Sequence, residues 1–141
     1  MPSARTTKFA LLDTAVYIEN FRSGRFTFRL LQSPFIIRCS SVVLHELLRG
    51  ARTATERKFV LELSRRCQVL TPTEQQWLKA AEILGRLRQR EHYEVAKLRE
   101  LAFDVLIALS ARSIGASVIT TNHADFIAIQ RELRFHLLCW E

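Results

Sequence analysis

With 141 residues, 48% of them hydrophobic and 25% charged, the chain has the size and composition of one folded domain (1–141) rather than of a disordered or low-complexity protein. No uninterrupted apolar run approaches the length needed to span a bilayer, which sets aside an integral membrane protein. Lys and Arg outnumber Asp and Glu by 21 to 14, a formal charge of +7 carried mostly by arginine, the side chain best shaped for phosphate.

In chain order, Met1 to Lys8 is polar and basic and lacks the apolar stretch of a signal peptide. Phe9 to Leu12 reads as a short buried strand, followed by a helix from about Thr14 and a short helix over Arg25 to Gln32, stopped by Ser33-Pro34. Phe35 to Cys39 is a second strand. Ser40 or Ser41 caps a helix running to about Leu48, with Gly50 as its stop. Thr55 to Arg66 is helical by its periodicity, and Cys67 to Leu70 is a third strand. Thr71-Pro72-Thr73-Glu74 opens a helix ending near Glu91, with Trp77, Ala80, Ala81, Leu84 and Leu87 at helical spacing. Leu98 to Ile114 is a helix closed by Gly115, Ser117 to Thr120 a fourth strand, Ala124 to Arg131 a helix and Phe135 to Trp140 a last strand. Strands alternating with helices predict an α/β domain in which right-handed crossovers build a parallel sheet covered on both faces. Cys39, Cys67 and Cys139 have no metal-ligand spacing and read as free thiols, Cys39 and Cys139 buried, in a reducing, cytoplasmic setting.

The acidic residues carry the chemistry. Asp13 ends the first apolar run, Glu46 lies in the helix after the second strand, Asp104 sits inside the apolar helix over Leu98 to Ile114, and Asp125 follows Ser117 to Asn122. Singly, three of the four have a plain structural role, Asp13 as a helix cap, Glu46 as a solvent-facing ion pair and Asp125 as a local cap or pair, whereas a solvent-facing role suits Asp104 less well between Phe103 and Val105. Together at the carboxyl ends of parallel strands they would repel, and a hard divalent ion relieves that repulsion. His45 and His123 adjoin this set, but neighbouring positions on a helix point apart, which argues against His45 sharing a ligand role with Glu46. Trp77, Phe59 and Phe103 are expected in the core. Arg22, Arg25 and Arg29, and Arg86, Arg88, Arg90 and Lys97, form basic groups; Arg49 and Arg52, just after the Glu46 helix, are the best candidates for phosphate contact.

Four segments taken together resemble a known family. Leu11-Leu12-Asp13-Thr14, Ser40 through Gly50, Phe103 through Ala108 and Thr120 through Phe126 look like the successive motifs of PIN-domain ribonucleases, most of all the toxins of VapBC toxin–antitoxin pairs. The resemblance implies a three-layer α/β/α domain around a parallel sheet of about five strands, and RNA cleavage dependent on Mg²⁺ or Mn²⁺. It places Asp13, Glu46 and Asp104 as metal-binding carboxylates, with Asn122 or Asp125 at a fourth position and Thr14 and Thr121 as polar helpers. Ala15 and Phe103 depart from the family pattern, which often has Asn and a polar residue there. The resemblance also implies a homodimer and a small antitoxin as partner. Two other readings stand beside it: an RNA-processing nuclease without an antitoxin, and a non-catalytic RNA- or protein-binding domain.

Overall fold

Ala10, Leu11 and Leu12 follow one another without a polar residue, as a strand covered on both faces requires, and all three are buried. In the computed structural model, which describes residues 8–141, they form the central strand β1 (Phe9–Leu12). The signal-peptide reading of the N-terminal segment therefore falls, apart from Lys8, outside the described residues.

The remaining elements follow as α1 (Thr14–Ser23), α2 (Thr27–Gln32), β2 (Ile36–Ser40), α3 (Ser41–Gly50), α4 (Ala54–Arg66), β3 (Val69–Leu70), α5 (Glu74–Glu91), α6 (Val95–Ser113), β4 (Ser117–Thr120), α7 (His123–Gln130) and β5 (His136–Cys139). The five strands are all parallel, in the order β3-β2-β1-β4-β5, with Leu11 opposite both Arg38 and Val118. This is the three-layer α/β/α architecture expected from the sequence. The chain runs outward from β1 to β3, then crosses back to β4 and β5. Right-handed connections place α1 to α4 on one face of such a sheet and α5 to α7 on the other. The packing agrees: α1 meets α3 and α3 meets α4, while α5, α6 and α7 pack on one another. The order reverses between β1 and β4, and at such a point the carboxyl ends of the strands open a crevice. There α3 of one layer touches α6 of the other.

Local signals explain most boundaries. Asp13, Ser40, Thr53 and Thr73 cap α1, α3, α4 and α5, the last two as reciprocal capping boxes with Glu56 and Gln76. Gly115, at φ +66, takes the left-handed turn between α6 and β4. Helix α3 ends at Gly50, two residues beyond Leu48, and the cap is Ala51 in extended conformation rather than a left-handed glycine. Helix α6 begins one turn earlier than its apolar pattern suggested, since Val95 to Lys97 are helical though exposed or half-buried. β3 contracts to two residues because only Val69 and Leu70 pair with the edge of β2. Cys39 is buried, whereas Cys67 and Cys139 are only partly so. The buried stripe of α5 is Ala80, Ile83 and Leu87; Trp77, 52% exposed, faces outward, contrary to the core role its spacing suggested. Among the described residues, no helix is long and apolar enough to cross a membrane.

Leu106 is fully buried in α6, whereas Leu78 is 64% exposed on α5. Leu106→Ala should lower the unfolding free energy by about 2–5 kcal/mol, against less than about 0.5 kcal/mol for Leu78→Ala, measured by urea denaturation.

Candidate functional site

Asp13 leaves the end of β1 at the crevice and is 4% exposed. Its Oδ1 accepts the Thr14 N–H at 2.8 Å, capping α1, and its Oδ2 accepts the Thr120 hydroxyl from the end of β4 at 2.8 Å. The Thr120 oxygen in turn accepts the Asn122 N–H at 2.8 Å, so the turn after β4 is locked to the same carboxylate. Thr14, the first residue of α1, donates its hydroxyl to Glu46 Oε1 on α3 at 2.8 Å. The capping role and the site role of Asp13 are thus one arrangement.

Asp104 comes from the middle of α6, and Asp125 from the first turn of α7. Burial pushes the Asp104 carboxyl up from the usual 3.8 to about 8; the charges of Asp13, Glu46 and Asp125 add to this, and Lys97 opposes it. Burial likewise raises Asp13 to about 6, with Glu46 and Asp125 contributing, against the hydrogen bonds from Thr120 and Thr14. These four carboxylates, drawn from four separate elements, therefore feel one another's charge. Among the described residues, however, no three His, Cys, Asp or Glu side chains are gathered into a group that could hold a metal ion.

Asp125 is already partnered. Its Oδ1 accepts Lys97 Nζ at 2.8 Å and its Oδ2 accepts Asn122 Nδ2 at 2.9 Å. A cavity of about 350 Å³ opens beside it, lined by Glu46, Arg49, Arg99, Phe103, Asp104 and Asn122 among others. Arg49 reaches this cavity with its guanidinium 5.8 Å from the Phe103 ring, and His45 meets the same ring edge-on at 5.7 Å. Phe103 is thus a half-buried wall of the cavity as well as a packing residue. Arg52 lies instead in the exposed loop after α3, where its backbone N–H donates to Glu56.

The structure brings Asp13, Thr14, Glu46, Asp104, Asn122, Asp125 and Arg49 to this end of the sheet, and leaves Arg52 outside the cavity lining. Thr121 is half-buried beside them, but the hydroxyl bonded to Asp13 belongs to Thr120. Thr120, Lys97 and Arg99 went unassigned to this site in the sequence. The doublet Thr120-Thr121 at a strand end is the available signal for the first; the pattern of basic residues groups Lys97 with the arginines of α5 instead. Two of those arginines are otherwise engaged, Arg86 and Arg90 both meeting the shielded Glu132 at 2.8 and 2.6 Å.

A family model for the PIN domain matches residues 10–132. The chain belongs to the PIN-domain family. A comparison with curated proteins finds no match. Among solved structures, the PIN chain here is similar to a chain of VapBC-1 from nontypeable Haemophilus influenzae, with a TM-score of 0.68 and 21% identity, covering 94% of this chain and 98% of that one. It is similar also to a chain of DNA-bound VapBC from Salmonella typhimurium, at TM-score 0.66 and 24% identity, covering 94% and 98%. A chain of VapBC2 from Rickettsia felis, bound to a promoter DNA fragment, gives 0.63 and 21%, covering 94% and 99%. At these identities the likeness is one of fold, and it runs over nearly the full length of each partner.

The raised carboxyls give a signed expectation for the metal-free protein. A carboxyl held above its unfolded value favours folding below that value, near 3.8, and the contribution is lost as pH rises through about 6 for Asp13 and about 8 for Asp104. Asp104→Asn should therefore melt several degrees above the parent at pH 8.5 in EDTA, and at nearly the same temperature at pH 4.5. A melting difference independent of pH would mean that Asp104 is not under this strain.

Proposed function

We propose that this PIN domain is a metal-dependent endoribonuclease and the toxin of a toxin–antitoxin pair. The observation that carries the reading is the convergence of Asp13, Glu46 and Asp104 from β1, α3 and α6 on one crevice, with two of them raised by burial and by their neighbours' charge. The donor set fits a hard divalent cation: all three side chains offer oxygen, and Mg²⁺ is satisfied by a few carboxylates plus water. A Mg²⁺ or Mn²⁺ ion held by them supplies charge relief on a phosphate and a water acidic enough to attack it near neutral pH.

The chain's own residues account for the rest. Thr120 and the Thr14 N–H fix the Asp13 carboxylate, leaving it little rotational freedom. Thr14 orients Glu46 from the neighbouring helix of the same layer, and Glu46 is the group to ligate the ion or to position water. Asn122 and Asp125 stand at the edge of the set, reaching the ion directly or through water. Arg49, at the cavity wall, meets a phosphate of the bound strand; Arg52, in the loop beyond, contributes only at longer range. The net charge of +7 attracts a polyanion to the molecule from a distance.

The partner assignment rests on the fold. The similar solved structures are VapBC complexes, two of them with DNA. A small antitoxin protein is accordingly the proposed partner, and a homodimer the proposed assembly. A second reading, a non-catalytic binding domain, is favoured by one observation: among the described residues the acidic side chains are not gathered into a ready group for an ion.

Cleavage of a mixed RNA pool in Mg²⁺, Mn²⁺ or EDTA separates the two readings. Metal-dependent cutting should fall by roughly two orders of magnitude or more in Asp104→Asn and in Asp13→Asn. Asn is as good a helix cap as Asp, so loss in Asp13→Asn without loss of folding is not a capping effect. RNA bound but uncut under every metal would favour the binding domain. In the same material, Arg49→Ala should weaken RNA binding and flatten its salt dependence by about one unit of slope, and Arg52→Ala should do less.

A further inference from the structure

Lys97 is the one cation in direct contact with the acidic set among the described residues. It sits on α6, about two turns before Asp104, and its ammonium lies 2.8 Å from Asp125 Oδ1, with Glu100 at 3.9 Å. Asp125, itself at the cavity wall, is held from the other side by the Asn122 amide, so each of its oxygens already accepts from a donor of this chain. Lys97 also acts across space on Asp104, where its charge opposes that of the three neighbouring carboxylates. Its other neighbours with charge or titratable groups are Glu100 and Tyr93. An ammonium in that place is a monovalent substitute for part of what a divalent ion would do.

We propose that Lys97 is a built-in competitor of the divalent cation: it keeps Asp125 out of the inner metal shell and sets how much metal the site needs. The inference rests on the metal-centre reading above and concerns which carboxylates remain available to the ion. With Lys97 in place, Asp13 and Glu46, which accept from neutral donors, and Asp104 are the carboxylates left to the ion, and Asp125 with Asn122 serves as the anchor of the lysine. Removing the ammonium takes away a repelling charge and frees a fourth carboxylate. The affinity for metal should then rise, although an ion pair between α6 and α7 has been broken.

The opposite signs on metal affinity and on fold stability make the test decisive. Mn²⁺ is titrated into metal-free protein by calorimetry, without RNA, beside thermal melts. Lys97→Met should bind Mn²⁺ tighter by roughly fivefold, the upper range for a partly exposed ion pair, while melting no higher than the parent in EDTA. Lys97→Arg, which keeps the charge, should stay near the parent. Asp125→Asn should change affinity by less than about twofold, and the Lys97→Met gain should shrink in the Lys97→Met/Asp125→Asn double variant to the part owed to the lost ammonium charge. Parent protein that binds Mn²⁺ with Lys97→Met unchanged or weaker overturns this proposal and leaves the metal centre standing. Parent protein that binds no Mn²⁺ overturns both.

Discussion

Burial of the Asp13 carboxylate at the reversal point between β1 and β4 is the constraint on which the rest of this site is built. A charged group there is tolerable only if its oxygens are satisfied. The two donors come from different elements, the Thr14 N–H at the start of α1 and the Thr120 hydroxyl at the end of β4. Thr14 then passes the linkage to Glu46 on α3. One residue thereby ties two strands and two helices together, and it does so where the strand order leaves the sheet open. That opening lets α3 and α6 approach from opposite layers, and neither layer alone contains the full acidic set.

Hydrogen bonds satisfy Asp13 but do not neutralise it. Its carboxyl remains raised, and Asp104, with burial as the leading cause and three carboxylates around it, is raised further. Repulsion also bears on why the acidic groups stand near one another without closing into a ready group of ligands. A site that bound its ion with side chains already drawn in would carry the full repulsion whenever the ion left. Here the strain is shared between two elevated carboxyls and one lysine ion pair. The division differs from residue to residue: Asp13 is held by neutral donors, and Asp125 by a cation.

Much of this was legible before any coordinates. The five strands are apolar runs bounded by turn residues, and the carboxylates follow them at recognisable places. Asp13 and Asn122 are simply the next residues after a strand or its turn, so the sheet's topology carries them to one end. The sequence was less informative where a decision depended on direction across space. Thr120 and Thr121 are the same residue type one position apart, and only the pleat of β4 turns the first hydroxyl to Asp13. Trp77 had helical spacing with the true stripe of α5, yet the packing face is set by Ala80, Ile83 and Leu87, one step around the helix. Lys97 lay in a polar stretch before the apolar core of α6, and its partner is 28 residues away on α7. Long-range ion pairs of that kind leave no periodic trace in a single sequence.

The charge of the whole chain and the charge of its crevice have opposite signs, and on the proposed reading that opposition has a function. A polyanion is attracted by the basic exterior yet repelled at the point where it would be cut, since Asp13, Glu46, Asp104 and Asp125 all face that region. A divalent ion held by Asp13, Glu46 and Asp104 would reverse the local sign and so would favour a phosphate beside it. Each ligand would then improve the site for the other, so on that reading metal and RNA should bind with positive coupling. Lys97 and Arg49 set the limits of that coupling from two sides. The lysine supplies a little of the ion's charge in its absence, and the arginine, held against Phe103 at the wall, offers the phosphate a cation that does not depend on metal. On the proposed reading the chain can approach RNA through its basic surface without metal, but would complete a reacting site only with the ion and the phosphate both present.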